Sequence, residues 1–180
     1  LNNQTRLYKS TDGGLTFSQT GDGWPIAGID QDQRRCEIAV SSAAPDNVYV
    51  LAAGSANEGS GLYGIYLSTD QGENFEFICC GDGPGGVPNT TDNPNTLGWS
   101  EFGDGDGGQY YYDLGLDVSP TNPNLMLSAG ICVWRSEDTG ANWELNAHWV
   151  TWAGANTVDR YTHADVHDVK FFETENGVDL

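Results

Sequence analysis

The densest group of chemistry-bearing side chains in the sequence is His163-x-Asp165-x-His167-Asp168. On an extended strand alternate residues face one side, so His163, Asp165 and His167 present two imidazoles and a carboxylate together. Such a set suits zinc or another transition metal. The same residues also make a hydrogen-bonded network that ties a strand entry to its neighbours, or an acid/base group. Two further polar groups stand just ahead of apolar strand patterns: Arg34, Arg35 and Glu37, and Tyr112 with Asp113. Cleaving a glycosidic bond takes paired carboxyls. Asp113, Asp165 and Asp168 are the catalytic candidates of that kind, with Tyr112 beside them. Arg34, Arg35 and Glu37 are candidates for ligand binding.

Other residues suit recognition. Trp149 and Trp152, with Trp99 and Tyr110–Tyr112, fall between strand patterns, where aromatic rings stack on sugars, touch proteins or pack loops down. Gly103-Asp104-Gly105-Asp106-Gly107-Gly108 resembles half of a calcium loop, with Asp104 and Asp106 as ligands, but Gly115 stands where the late acidic ligand belongs. Calcium is thus the one cofactor in view, alongside a merely acidic loop. Cys36, Cys79, Cys80 and Cys132 show no zinc spacing. The adjacent pair Cys79–Cys80 is either a vicinal disulfide or two buried thiols.

The elements that must position these residues repeat along the chain. Ser10-x-Asp12-x-Gly14-x-x-Phe17, Ser68-x-Asp70-x-Gly72-x-x-Phe75 and Ser136-x-Asp138-x-Gly140-x-x-Trp143 share one pattern, each flanked by short apolar runs. Strand, tight turn, strand is the reading: Asp accepts turn amides, Gly takes positive φ, and the aromatic anchors the returning strand. Ahead of the box, Ile38–Ser41 then Asn47–Val50 match Leu116–Ser119 then Asn124–Leu127, with Pro/Asn/Asp turns between. A third copy starts at Val169–Phe172.

The unit is four antiparallel strands, which makes the expected fold all-β, a β-propeller of four-stranded blades. Residues 5–20 supply half a blade, 36–80 and 112–147 whole ones, and 168–180 begin the next. Propellers close with about four to eight blades, so the expectation is a partial propeller of about three blades whose remaining blades belong to the same larger chain. Superposed copies bring Arg34, Arg35 and Glu37, then Tyr112 and Asp113, then His163, Asp165, His167 and Asp168 to one concave rim at the entries of the inner strands.

Composition narrows the partners. Among 180 residues, 7 Lys+Arg face 26 Asp+Glu, a net charge of −19, which excludes a general nucleic-acid binder because phosphate contacts need clustered bases. No apolar run is long enough for a membrane span. Six Trp, eight Tyr and six Phe speak against a solvated, disordered chain. Leu1–Ser10 carries neither the basic start nor the apolar run of a signal peptide.

The S-x-D-x-G-x-x-[WF] element resembles the Asp-box, or BNR repeat, of sialidases, sortilin-type receptors and xyloglucanase-like glycosidases. The run Tyr112–Asn124, then Ile131–Ser136, His148-Trp149 and His163–Asp168 is similar to large secreted sortilin-like propeller proteins of Bacteroidetes that carry type IX secretion sorting domains. The resemblance implies a secreted or cell-surface protein and a structural role for the boxes, on turns at the face opposite the ligand mouth. It also implies that Tyr110–Tyr112 could supply a sialidase-like nucleophile. A sialidase, however, needs an arginine triad; of Arg6, Arg34, Arg35, Arg135 and Arg160, two lie on outer strands. The expected function is binding, adhesion or scaffolding toward a glycan or a surface protein. The alternative is a glycoside hydrolase of the xyloglucanase or sialidase-like kind, acting at the channel mouth.

Overall fold

The computed structural model describes residues 5–25, 33–54, 61–81, 83, 87–150 and 160–174. Ten strands form within them, and no helix. A hairpin comes first, β1 (Leu7–Lys9) with β2 (Ser18–Thr20). A four-stranded sheet follows: β3 (Gln33–Ser41), β4 (Ala44–Gly54), β5 (Gly61–Ser68) and β6 (Glu76–Cys79). A second comprises β7 (Gly115–Val118), β8 (Met126–Ala129), β9 (Val133–Ser136) and β10 (Glu144–Ala147). All strand pairs are antiparallel, and within each sheet every strand neighbours its successor, giving the orders β3-β4-β5-β6 and β7-β8-β9-β10.

Alternation along each strand decides what packs where. On β4, Tyr49, Leu51 and Ala53 join the largest core with Leu116, Val118, Met126 and Trp134 of the second sheet. Val50 and Ala52 point the other way, onto Leu7, Trp24 and Phe75. The later half of β4 and nearly all of β5 are therefore buried on both faces, between the hairpin and the second sheet. The far face of the second sheet carries Ala129, Val133 and Ala147, covered by Val166 and Val169. Each large apolar side chain sealed this way contributes about 1.5–3 kcal/mol. Residues 168–174 lie against β7, where Val169 approaches Gly115, but join no ladder among the described residues; 175–180 lie outside them.

The ladders align the two sheets residue by residue. Val40 pairs with Val48 as Val118 pairs with Met126, and Val48 with Ser68 as Met126 with Ser136. Asp46 thus corresponds to Asn124, one residue away from the Asn47–Asn124 match of the sequence. The reason is a backbone hydrogen bond made in both copies, in which the Asp46 and Asn124 carbonyls accept the amides of Gln71 and Thr139 at 2.8 and 3.1 Å.

The same alignment exposes an asymmetry. Leu116 and Val118 are 1% and 2% exposed, whereas their counterparts Ile38 and Val40 are 52% and 62% exposed. The first sheet covers the former pair, whereas among the described residues the latter pair joins neither core. Phe17 follows this logic too, at 64% exposure against 5% for Phe75 and 7% for Trp143. Phe75 and Trp143 each pack toward the preceding unit, the first against Trp24 and the second in the core shared with Ile65.

Candidate functional site

The sheets have two unlike ends. At one end lie the three S-x-D-x-G turns, and their geometry repeats closely. Ser Oγ donates to Asp Oδ1 at 2.8, 2.7 and 2.9 Å and accepts the amide of Gly14, Gly72 or Gly140 at 2.8, 2.8 and 2.9 Å. Asp Oδ1 also accepts the amide four residues on, at 2.9, 2.9 and 2.8 Å. Its Oδ2 takes the side chain of Thr16, Asn74 or Asn142. The three glycines sit at φ 88, 86 and 85°, a left-handed conformation that side chains resist.

Hydrogen bonds to a carboxylate favour its charged form. Those from the Thr16 side chain and amide and from Ser10 hold Asp12 down to about 2. Those from the Asn74 amide and side chain and from Ser68 hold Asp70 well below the usual carboxylate range. At Asp138 slight burial pushes upward, but the bonds from Asn142 and Ser136 outweigh it. These acids are saturated, and they lock turns.

At the other end β3 and β7 begin, β6 and β10 finish, and the long connections gather. Here Arg35 Nη1 donates to the Tyr110 carbonyl at 2.9 Å. His167 Nδ1 lies 3.0 Å from the Tyr112 carbonyl, a contact that puts the proton on Nδ1, and its ring meets the Tyr112 ring edge-on at 4.6 Å. Three segments, β3, the 109–113 turn and 160–174, are thereby joined around Asp113. Asp113 is 1% exposed, and neither carboxyl oxygen has a hydrogen-bond partner among the described residues. Burial pushes its carboxyl above the usual range; its own amide pulls it down, Asp165 pushes it up, and His167 and Arg35 pull it down. Glu37, on β3, is likewise raised by burial, tempered by Arg35 and Lys170 and reinforced by Asp168.

The remaining sequence-derived candidates divide. His163 Nδ1 and Asp165 Oδ2 face each other at 3.5 Å, both exposed, while His167 turns to Tyr112 instead. Among the described residues no three His, Cys, Asp or Glu side chains gather as a metal-binding group. Asp168 pairs with Lys170 at 3.4 Å, and Lys170 also approaches Asp117 at 3.7 Å. Arg34 is exposed. Tyr111 and Tyr112 present 70% and 54% of their surface to solvent. Trp149 donates Nε1 to the Trp99 carbonyl at 3.2 Å, and the two rings meet edge-to-face at 5.3 Å, leaving Trp99 exposed. Trp152 lies outside the described residues. A cleft of about 250 Å³, lined by Arg6, Gln19, Asp22 and Trp24 among others, opens beside β1 and β2.

The Asp104/Asp106 loop is organised by a residue the sequence did not single out. Asn95, 1% exposed, donates Nδ2 to the Gly105 and Gly107 carbonyls at 3.0 and 2.7 Å. Its Oδ1 accepts the Leu62 and Leu97 amides at 2.8 and 3.2 Å. Asp104 accepts from Ser100 and Asp106 from Asn89. Asn95 thus supplies, from one buried amide, the cross-linking a cation gives an acidic loop. Its only trace in the sequence is an Asn after Pro94, a turn signal like several others. Nearby, Cys79 and Cys80 form a vicinal disulfide, which resolves the sequence alternatives in favour of the bridge. Cys36 and Cys132 are free thiols, each raised to about 11 by burial and, to a lesser degree, by Glu37 and Glu101 respectively.

No protein-family model matches this chain, and no curated protein matches it. Among solved structures it is similar to the crystal structure of the GH74 enzyme of Niastella koreensis, with 22% identity and a TM-score of 0.45. The likeness covers 82% of this chain and 19% of that one, so the chain spans about a fifth of the length of that enzyme.

Proposed function

We propose that the chain is a segment of an Asp-box β-propeller, exported or held at the cell surface, whose irregular end binds a glycan. The two four-stranded sheets serve as successive blades, and the S-x-D-x-G turns hold each blade closed on the far side. The observation that carries the reading is the junction of β3, the 109–113 turn and 160–174 through Arg35, Tyr110, Tyr112 and His167. That junction gathers charged and polar groups beside the exposed rings of Tyr111 and Tyr112. Flat rings with polar neighbours match the two faces of a sugar, one apolar and one hydroxylated. The Cys79–Cys80 bridge supports an oxidising compartment.

The test is binding of neutral and acidic oligosaccharides, followed by calorimetry, to the protein and to Tyr112→Ala and Arg35→Ala. Neutral-glycan binding weakened about tenfold or more by either change, about 1.4 kcal/mol, supports the reading. Binding only to a surface protein, or to no glycan, removes it.

One observation favours hydrolysis as a second reading. Burial raises the Asp113 carboxyl from its ordinary value, the direction a general acid needs, and Asp165 pushes it the same way as the second carboxyl. Release of new reducing ends from a bound glycan, reduced about 100-fold or more in Asp113→Asn, is what this reading requires. Binding without turnover leaves the module reading alone.

A further inference from the structure

Among the described residues, Asp113 is the acid whose two buried carboxyl oxygens both lack a hydrogen-bond partner. Both are sealed from solvent, in a place where three segments close on one another. Its own turn is held by the Tyr112 and Asp113 amides on the Gln109 carbonyl at 2.7 and 3.0 Å. The 160–174 segment is held by the Val166 amide on the Gly130 carbonyl at 3.0 Å and by His167 on Tyr112. Charged groups face Asp113 from every side that carries them: Arg35 from β3, and Asp165 and His167 from 160–174. From the β8–β9 turn comes Gly130, packed between Leu97 and the Asp113 carbonyl, with no charge to offer.

A carboxyl in such a place is tolerable as the neutral acid and costly as the anion. Ionised, it needs donors or water, and among the described residues its own amide is the one donor that acts on it, short of a full hydrogen bond to either oxygen. Arg35 Nη1 is turned to the Tyr110 carbonyl and His167 Nδ1 to that of Tyr112, so satisfying the anion means shifting one of these side chains or admitting solvent between the segments.

We propose that Asp113 is a proton-operated latch on this rim: neutral, it lets the 109–113 turn and the 163–167 segment close over it; ionised, it loosens both and opens the rim. The opening affects the ligand face only if that face is the binding site, so the latch rests on that reading for its consequence. Its test uses no ligand, and either can fail alone.

The experiment is amide hydrogen exchange at a series of pH values from 4 to 8, each rate corrected for the intrinsic pH dependence of exchange. In the wild-type chain the Tyr112, Asp113 and Val166 amides lose protection, by up to about tenfold per pH unit, as pH rises from the ordinary carboxyl value toward the closed-state Asp113 midpoint. The loss levels off above it, while Gly72 and Gly140 in the far turns do not change. Asp113→Asn, which keeps the shape and cannot ionise, abolishes that loss. A loss that persists in Asp113→Asn belongs to another group of the rim, such as Glu37, and overturns the latch. If Asp113→Asn does not fold, Asp165→Asn takes its place: removing the charge that pushes Asp113 up moves the opening midpoint to lower pH, and an unmoved midpoint overturns the proposal.

Discussion

The two ends of the sheets use the same residue type in opposite ways. In the S-x-D-x-G turns, Asp12, Asp70 and Asp138 collect donors from their own loop and are held acidic. At the rim Asp113 has no full hydrogen bond to either carboxyl oxygen among the described residues, is buried, and is raised. The difference is one of scope. A turn that closes within eight residues can supply every hydrogen bond its carboxylate needs, so it repeats with little variation. A rim assembled from segments far apart in the chain leaves some polar groups unmet, and unmet polar groups are where chemistry and switching arise.

The largest expected break in this comparison lies in the box aromatics. Trp143→Ala lowers stability by about 3–5 kcal/mol, because Trp143 is 7% exposed in the core between the sheets. Phe17→Ala, at the same motif position but exposed, costs less than about 0.5 kcal/mol. Denaturant unfolding of both variants checks the pair; equal losses would mean that the box aromatic acts within its own turn and not against the neighbouring unit.

Next comes the serine. Ser136 Oγ is buried and satisfies the buried Gly140 amide, so Ser136→Ala orphans a donor and costs about 1–3 kcal/mol. Ser10→Ala exposes the matching amide to water and costs less. Gly140→Ala follows, at about 1–2 kcal/mol, from a left-handed φ of 85° and a new Cβ only 3.3 Å from Met126 Sδ. Gly14→Ala, at the matching position with φ 88° and a Cβ that meets nothing within 4 Å, isolates the backbone contribution alone. A thermal-shift series ranks the four, and an order that puts Ser10→Ala above Ser136→Ala would contradict the burial argument for these turns.

The smallest effects are in pH dependence, and their signs are opposite. Asp12 is lowered from 3.8 to about 2, so its stabilisation is present above the unfolded value and is lost as pH falls through that interval. Asp113 is raised, so its contribution is complete below the unfolded value and is lost as pH rises through the folded one. Asp12→Asn should therefore flatten the acid limb of a stability–pH curve, and Asp113→Asn the limb above it. Changes on the same limb for both variants would erase the distinction between the two ends.

What could be read from the sequence follows the same division. The turns at 10–17, 68–75 and 136–143 are legible because Ser, Asp, Gly and the aromatic each serve a local geometric need at fixed spacing. The strand following Ser41 is legible as a strand but misplaced by one residue, since identity favours Asn47 with Asn124 while the ladder and the Gln71 and Thr139 amides select Asp46. At the rim, superposing the inner-strand entries suffices to place Arg35, Asp113 and the 163–167 segment near one another. It does not reveal that His167 turns to Tyr112 and away from His163, that Asn95 braces the acidic loop, or that Asp113 is sealed. Each of these depends on long connections whose paths no local pattern encodes.

The most direct test of the contrast is a carboxyl-carbon NMR titration that follows Asp113 and Asp138 in one sample. Asp113 is expected to titrate above the ordinary carboxylate range and Asp138 below it. Coincident midpoints for the two, or the reverse order, would contradict the contrast between the two ends.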